Sequence, residues 1–429
     1  MRILTFVLVG AAALLLALPS AGAVDCETIP MPGDHRENGM WSALYAARNG
    51  MVYIGNQAHG AEAHFYQYNP STNKVRHLAD MSALKGERGR GIRIQAKIHT
   101  RFVEDRDGII YFGTGNQGSG PWNIDPRSWE GGHWWSYDPE TDEIKDLGLV
   151  TKGWGLYGLA YDRVRHRLYA TALNGHIYMF DIASRHTTDL GRVNNWESCR
   201  TIVADDQGNC YGSFEKHRLF KYEAESGRLL DLPIEIPHDH YQHPLSPTRP
   251  RLDRKNLWRV AEWSDKDGVI YGIEGGSSYL FKYDPNKGEY GETEYIADMS
   301  APVIRGTRSL PYATLSMTVG KDNRIYFMPG GSTFDYSSGE GMGGEIASFL
   351  VACDPYTKKV TDYGKLMDRK NGIRILGTNA AACGPDGTLY FFGACQEKDS
   401  RKAVGKVRGE EPFSLRLIIC KPEVLVASR

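Results

Sequence analysis

Histidine, tyrosine and arginine supply the chemistry this sequence can offer. His99 lies in KIHTR, His133 opens HWWSYDP, Tyr157 lies in WGLYGLAYD, and Arg200 and Arg259 follow. An imidazole or a phenol can take or give a proton, and a guanidinium can neutralise a carboxylate. Together they suit β-elimination from a uronic acid: arginine acidifies the C–H beside the carboxylate, one group removes that proton, and another protonates the departing glycosidic oxygen. Hydrolysis would need two carboxylates instead. No GxSxG elbow, P-loop, HExxH or reactive-cysteine signature stands in a supporting context.

These residues are far apart in the chain, so a repeating scaffold has to gather them. A turn followed by an aliphatic residue and tyrosine recurs seven times: NGMVY (Tyr53), DGIIY (Tyr111), RHRLY (Tyr169), QGNCY (Tyr211), DGVIY (Tyr271), DNRIY (Tyr326) and DGTLY (Tyr390). Each copy is followed by an aromatic strand such as HFYQYNP, HWWSYDP or YLFKYDP, and most by a closing strand such as EIKDLG or TTDLG. Each unit reads as four antiparallel strands joined by hairpins. The expected fold is all-β: a seven-bladed β-propeller of four-stranded antiparallel blades, one domain over residues 24–429. Too few residues follow Pro422 for a full closing strand, so the segment after residue 23 is expected to supply it, removing a sheet edge and placing Cys26 near Cys420. A bridge between those two cysteines is one option this leaves open.

Twelve residues before each turn tyrosine lies the start of an inner strand: Trp41, His99, Tyr157, Cys199, Arg259, Thr314 and Thr378. These should ring one channel mouth, with Arg200 next to the ring. The third strands start at His64, His133, His176, Arg218 and Tyr279, on the same face but further out. The candidate set is therefore His99, His133 and Tyr157 as catalytic residues, with Arg200, Arg259 and His64 binding substrate. The plainer reading is that strand-start histidines only hydrogen-bond within their blades. Two loops add to the face. Leu84 to Arg101 carries Lys85, Arg88, Arg90, Arg93, Lys97 and Arg101 against Glu87 alone, a rim that would attract an anion or simply be solvated. The loop from Pro237 to Asn256 holds His238, His240 and His243, which could bind a structural metal or only stiffen the surface. Trp41, Trp154, Trp196 and Trp258 could stack on sugars or pack between blades.

Residues 1–23 read as a secretory signal peptide: Arg2, an apolar run to Leu18, then Ala21-Gly22-Ala23. A periplasmic or secreted protein is expected, without membrane insertion after cleavage. Lys plus Arg is 51 against 52 for Asp plus Glu, which excludes the global basic excess of a general nucleic-acid binder. Seven cysteines are too sparse for a disulfide framework, and no CxxC pair suggests zinc. No cofactor is expected, and a monomer is.

KIHTRFVEDRDGIIYFGT, GGHWWSYDP and WGLYGLAYD together resemble the seven-bladed β-propeller polysaccharide lyases of the ulvan lyase type. The resemblance implies catalytic roles for His99, His133 and Tyr157, and a uronate-neutralising arginine at Arg200 or Arg259. It also implies proton transfer by Tyr157 and His133, with His99 and an arginine holding the carboxylate. The insertion from Asn116 to Gly132 departs from the family spacing and could reshape the cleft. The expected function is cleavage of a uronic-acid-containing anionic polysaccharide by β-elimination. The alternative is a secreted propeller that binds an anionic glycan or a protein partner without chemistry.

Overall fold

The tyrosine of each repeat has a structural task that explains its recurrence. In a computed structural model that describes residues 23–33, 39, 41–57, 62–91, 93–116, 125–193, 200–214, 218–238, 258–275, 277–300, 314–329, 347–407 and 411–427, the Asp105 carboxylate organises its whole turn. It accepts the amides of Asp107 and Ile109 at 2.9 Å each and the Tyr111 hydroxyl at 3.2 Å. Asp205 repeats this with Gln207, Asn209 and Tyr211, and Asp267 and Asp322 receive the hydroxyls of Tyr271 and Tyr326. A buried phenol needs an acceptor, and the turn aspartate provides one. Gly108 and Gly208, with φ of 85° and 86°, let these turns close.

Around these turns the chain forms seven antiparallel blades. Blade 1 runs from the strand Leu44–Ala46 to Lys74–Asp80, blade 2 from Lys97–Ile98 to Glu143–Leu149, and blade 3 from Leu156–Asp162 to His186–Arg192. Blade 4 runs from Val203–Ala204 to Arg228–Glu235, blade 5 from Trp258–Ser264 to Glu292–Asp298, and blade 6 from Met317–Val319 to Lys359–Asp368. Blade 7 contains Ile373–Cys383, Leu389–Gln396 and Glu411–Cys420, and its outermost strand is Glu27–Pro30. Glu27 lies opposite Ile419 and Pro30 opposite Arg416, so the start of the described chain completes the last blade. Met367 pairs with Arg374 across a hairpin, which merges blades 6 and 7 into one sheet. No helix among the described residues is long and apolar enough to cross a membrane.

Aromatic side chains fill the spaces between blades. Phe65, Phe112, Trp135 and Tyr137 form one such layer between blades 1 and 2, and Trp134 stacks on Phe180 between blades 2 and 3. Trp258 is fully buried and donates its indole N–H to the Thr201 carbonyl at 2.7 Å, so it is a packing residue and offers no face to a sugar. Trp196 lies outside the described residues.

The ring is fastened at one carboxylate. Asp368 Oδ2 accepts the backbone N–H and the hydroxyl of Thr28 at 3.1 and 2.7 Å, and the Asn371 side-chain amide at 2.8 Å. Burial works against its charge, but these hydrogen bonds hold its pKa below the usual carboxylate range. By the same register Cys26 faces Cys420. Both are buried free thiols, so no bridge links them. Residues 1–22, which carry the expected signal, lie outside the described residues. Replacing Asp368 with alanine leaves the Thr28 amide buried without its acceptor. An unfolding free energy lower by about 1–3 kcal/mol is expected in urea titrations, with Asp368→Asn recovering much of the loss.

Candidate functional site

Five inner-strand starts meet at one mouth of the channel. Trp41 precedes the first strand of blade 1, His99 follows Lys97–Ile98 in blade 2, and Tyr157 lies in Leu156–Asp162 of blade 3. Arg200 precedes the inner strand of blade 4, and Arg259 lies in Trp258–Ser264 of blade 5. The His99 ring lies between two aromatics, 5.5 Å from Trp41 and 4.1 Å from Tyr157 between centroids. Arg200 Nη1 is 3.3 Å from His99 Nε2, and its guanidinium carbon lies 4.9 Å from the Trp41 ring and 5.1 Å from the Tyr157 ring. Arg259 approaches the Trp41 ring at 5.9 Å.

The cluster has two layers. His99, Lys97 and Arg259 are all at most 3% exposed, whereas Trp41, Tyr157 and Arg200 are half-buried and accessible. Guanidinium nitrogens only donate, so Nε2 of His99 accepts from Arg200 and the ring proton sits on Nδ1. The Ser42 hydroxyl fixes the backbone here by donating to the His99 carbonyl at 2.6 Å. Burial pushes the His99 pKa well below its ordinary value, the charges of Arg200 and Lys97 push it further, and a hydrogen bond from the ring to the Tyr157 backbone opposes them. Burial, then Arg200, lowers Lys97 to about 7. The mouth is thus rich in cationic groups around a neutral imidazole, an arrangement that favours an incoming anion.

His133 stands two strands further out, across Ile110–Gly115, about 10 Å from the inner strand by strand spacing. Its Nδ1 is 2.8 Å from Asp146 Oδ1, and its Nε2 is 3.5 Å from Glu130 Oε1. This pairing is part of the blade repeat. His176 meets Asp189 at 3.0 Å and Arg218 meets Asp231 at 2.8 Å, each thirteen residues on, and His64 meets His77 at 3.0 Å in the same way. Each pair sits beside the β-bulge of its outer hairpin. Gly148 and Gly191, with φ of 120° and 118°, donate their amides to Asp146 and Asp189 at 2.9 Å. Burial opposes the charge of Asp146, yet His133, the Gly148 amide and Lys85 bring its pKa down to about 2. The structure therefore gathers His99, Tyr157, Arg200 and Arg259, and sets His133 and His64 in a separate outer row.

The basic rim is divided in the same manner. Lys85 lies 3.2 Å from Asp146, Arg88 pairs with Asp80 at 2.7 Å, and Arg101 pairs with Glu262 at 3.2 Å. Arg90 and Arg93 remain exposed. His238 Nδ1 lies 3.0 Å from the Ile236 carbonyl, while His240 and His243 lie outside the described residues, as does Cys199. Among the described residues no group of three or more His, Cys, Asp or Glu is placed to hold a metal. The sequence places Lys97 with the basic rim of the Leu84 to Arg101 loop. Its place two residues before His99 on an inner strand was the signal that it faces the interior.

No protein-family model matches the chain, and no curated protein sequence matches it. Solved structures do. A chain of the mitotic checkpoint complex is 14% identical, with a TM-score of 0.54, covering 97% of this chain and 98% of that one. The RRP9 WD40 repeats are 11% identical, with a TM-score of 0.57, covering 93% and 98%. Virginiamycin B lyase from Staphylococcus aureus is also 11% identical, with a TM-score of 0.54, covering 91% and 98%. At such identities the likeness shows the β-propeller fold alone.

The buried lysine sets a pH dependence. Lys97 loses its proton near 7 in the folded chain and near 10.4 in the unfolded one. Between those values the unfolded chain binds more protons, so this group makes stability rise with pH. Urea titrations at pH 7, 8 and 9 should show that rise, and Lys97→Met should flatten it while stabilising the protein at pH 7. His99 has the same sign in a lower window: its contribution is lost as the pH falls below about 6.5.

Proposed function

We propose that this propeller cleaves a uronic-acid-containing anionic polysaccharide by β-elimination at the channel mouth. The observation that carries the reading is the contact of Arg200 with His99 beside Tyr157. Arg200 caps the imidazole lone pair. A uronate carboxylate draws the guanidinium onto itself, which acidifies the neighbouring C5–H, uncaps Nε2 and cancels part of the charge that depresses the histidine. His99 then accepts the C5 proton, the C–H electrons form the C4–C5 double bond, and the C4–O bond breaks. Tyr157 gives its hydroxyl proton to the leaving oxygen. Trp41 offers an aromatic face to the sugar. Arg259 and Lys97, set behind the accessible layer, add to the field on the carboxylate.

This assignment moves proton transfer from His133 to His99, because His133 is held by Asp146 and Glu130 in the outer row. The likeness to virginiamycin B lyase supports the idea that such a scaffold accommodates lyase chemistry. Export and a monomeric state belong to the same proposal.

A second reading is favoured by the 1% exposure of His99: the mouth binds an acidic glycan and performs no chemistry. Absorbance near 235 nm during incubation with ulvan, pectate, alginate and glycosaminoglycans separates the two. Eliminative cleavage should appear with at least one polymer. Tyr157→Phe and His99→Ala should each lower the rate about 10²–10⁴-fold, Arg200→Ala should lower it by a similar factor, and His133→Gln should leave most of it. A flat trace with intact binding would favour the binding reading.

A further inference from the structure

A cavity opens on the same face, outward from the mouth, between the loop after blade 1 and the approach to the third strand of blade 2. Its volume is about 360 Å³, and Glu87, Arg90, Arg93, Ser128, Trp129 and Glu130 line it, a size within the usual range for small-ligand sites. We propose that this cavity is a separate subsite for an acidic sugar residue of a glycan chain, distinct from the channel mouth. The proposal rests on reading the ligand as an acidic glycan.

The polar balance of the cavity is what singles it out. Its acids are engaged from within. Glu87 is buried and accepts the backbone amide of Gln95 at 2.7 Å and that residue's side-chain amide at 3.3 Å. Glu130 lies 3.5 Å from both Lys85 and His133. Its donors are not so engaged. The guanidiniums of Arg90 and Arg93 are exposed and meet no carboxylate among the described residues, whereas their neighbour Arg88 is tied to Asp80. Trp129 is only 4% exposed, and its indole N–H has no acceptor among the described residues. A buried N–H without an acceptor is costly, and two exposed guanidiniums lining the same cavity suit a carboxylate or sulfate.

The site is also held in shape. Gln95 bridges its two walls, donating to the Gly131 carbonyl at 3.1 Å while its own amide is held by Glu87. The loop is further closed by the Glu87 amide on the Ser82 carbonyl and the Arg90 amide on the Glu87 carbonyl, at 2.8 and 3.1 Å. Gln95 lies two residues before Lys97, so one segment connects the cavity to the channel mouth. A glycan chain running outward over blade 2 would meet both.

Calorimetric titration with size-defined oligosaccharides tests this, using glucuronate-only chains for the carboxylate and heparin-derived chains for the sulfate. Arg90→Ala/Arg93→Ala should weaken hexasaccharide binding at least tenfold and leave disaccharide binding, which Arg200→Ala removes, unchanged. Trp129→Phe should weaken the hexasaccharide several-fold. Whichever probe shows the Arg90/Arg93-dependent loss identifies the recognised group. Hexasaccharide affinity that is the same in the double variant and the native chain, or absent for both probes, overturns the subsite. Elimination at 235 nm is read separately: its absence alongside an Arg90/Arg93-dependent affinity defeats the lyase reading and leaves the subsite standing.

Discussion

A ring of sheets is a stable object only when its last blade finds an outer strand, and here that strand comes from the other end of the chain. Glu27–Pro30 covers the edge of Glu411–Cys420, and Thr28 is held on Asp368. An uncovered edge would leave a row of unpaired amides and carbonyls and loosen the fit of blade 7 between its neighbours. The channel mouth depends on that fit. Its side chains come from five blades, and each is positioned by backbone at the start of an inner strand. Their convergence is a property of the closed circle.

What converges there is electrically unusual. Lys97, Arg200 and Arg259 gather around His99, and two of those cations are buried. Taking such charges out of water opposes folding. The aromatic walls of Trp41 and Tyr157 offset part of this through contacts between cation and ring. The remainder is carried by the stability of the surrounding blades. Placing such a cluster where five blades meet spreads its cost over many strands.

The fold was legible in the sequence because its repeat is written in chemistry that every blade needs. Tyr111 and Tyr211 recur because each satisfies a turn aspartate, and counting from them located His99, Tyr157 and Arg259 on one ring. The outer set was misleading for a related reason. His133 and His176 recur at strand starts because a bulge aspartate thirteen residues later accepts their ring N–H, so register alone could not separate a blade fastener from a site residue. Lys97 was read as rim because composition does not reveal which way a strand faces. The cavity at Trp129 was hidden because it joins a loop of blade 1 to an insertion in blade 2, and no period relates the two.

The closing strand has a consequence in time. Glu27–Pro30 leaves the ribosome ahead of blades 1 to 6, and its partner Glu411–Cys420 after them. At ordinary synthesis rates the interval is roughly 20–80 s. During that interval blades 1 to 6 can form on local hairpins, but the circle stays open and the early strand lacks the edge of Glu411–Cys420 that it pairs with. Completion is therefore a single late event between Glu27–Pro30 and Glu411–Cys420, and whatever handles the polypeptide before then meets an open arc of blades.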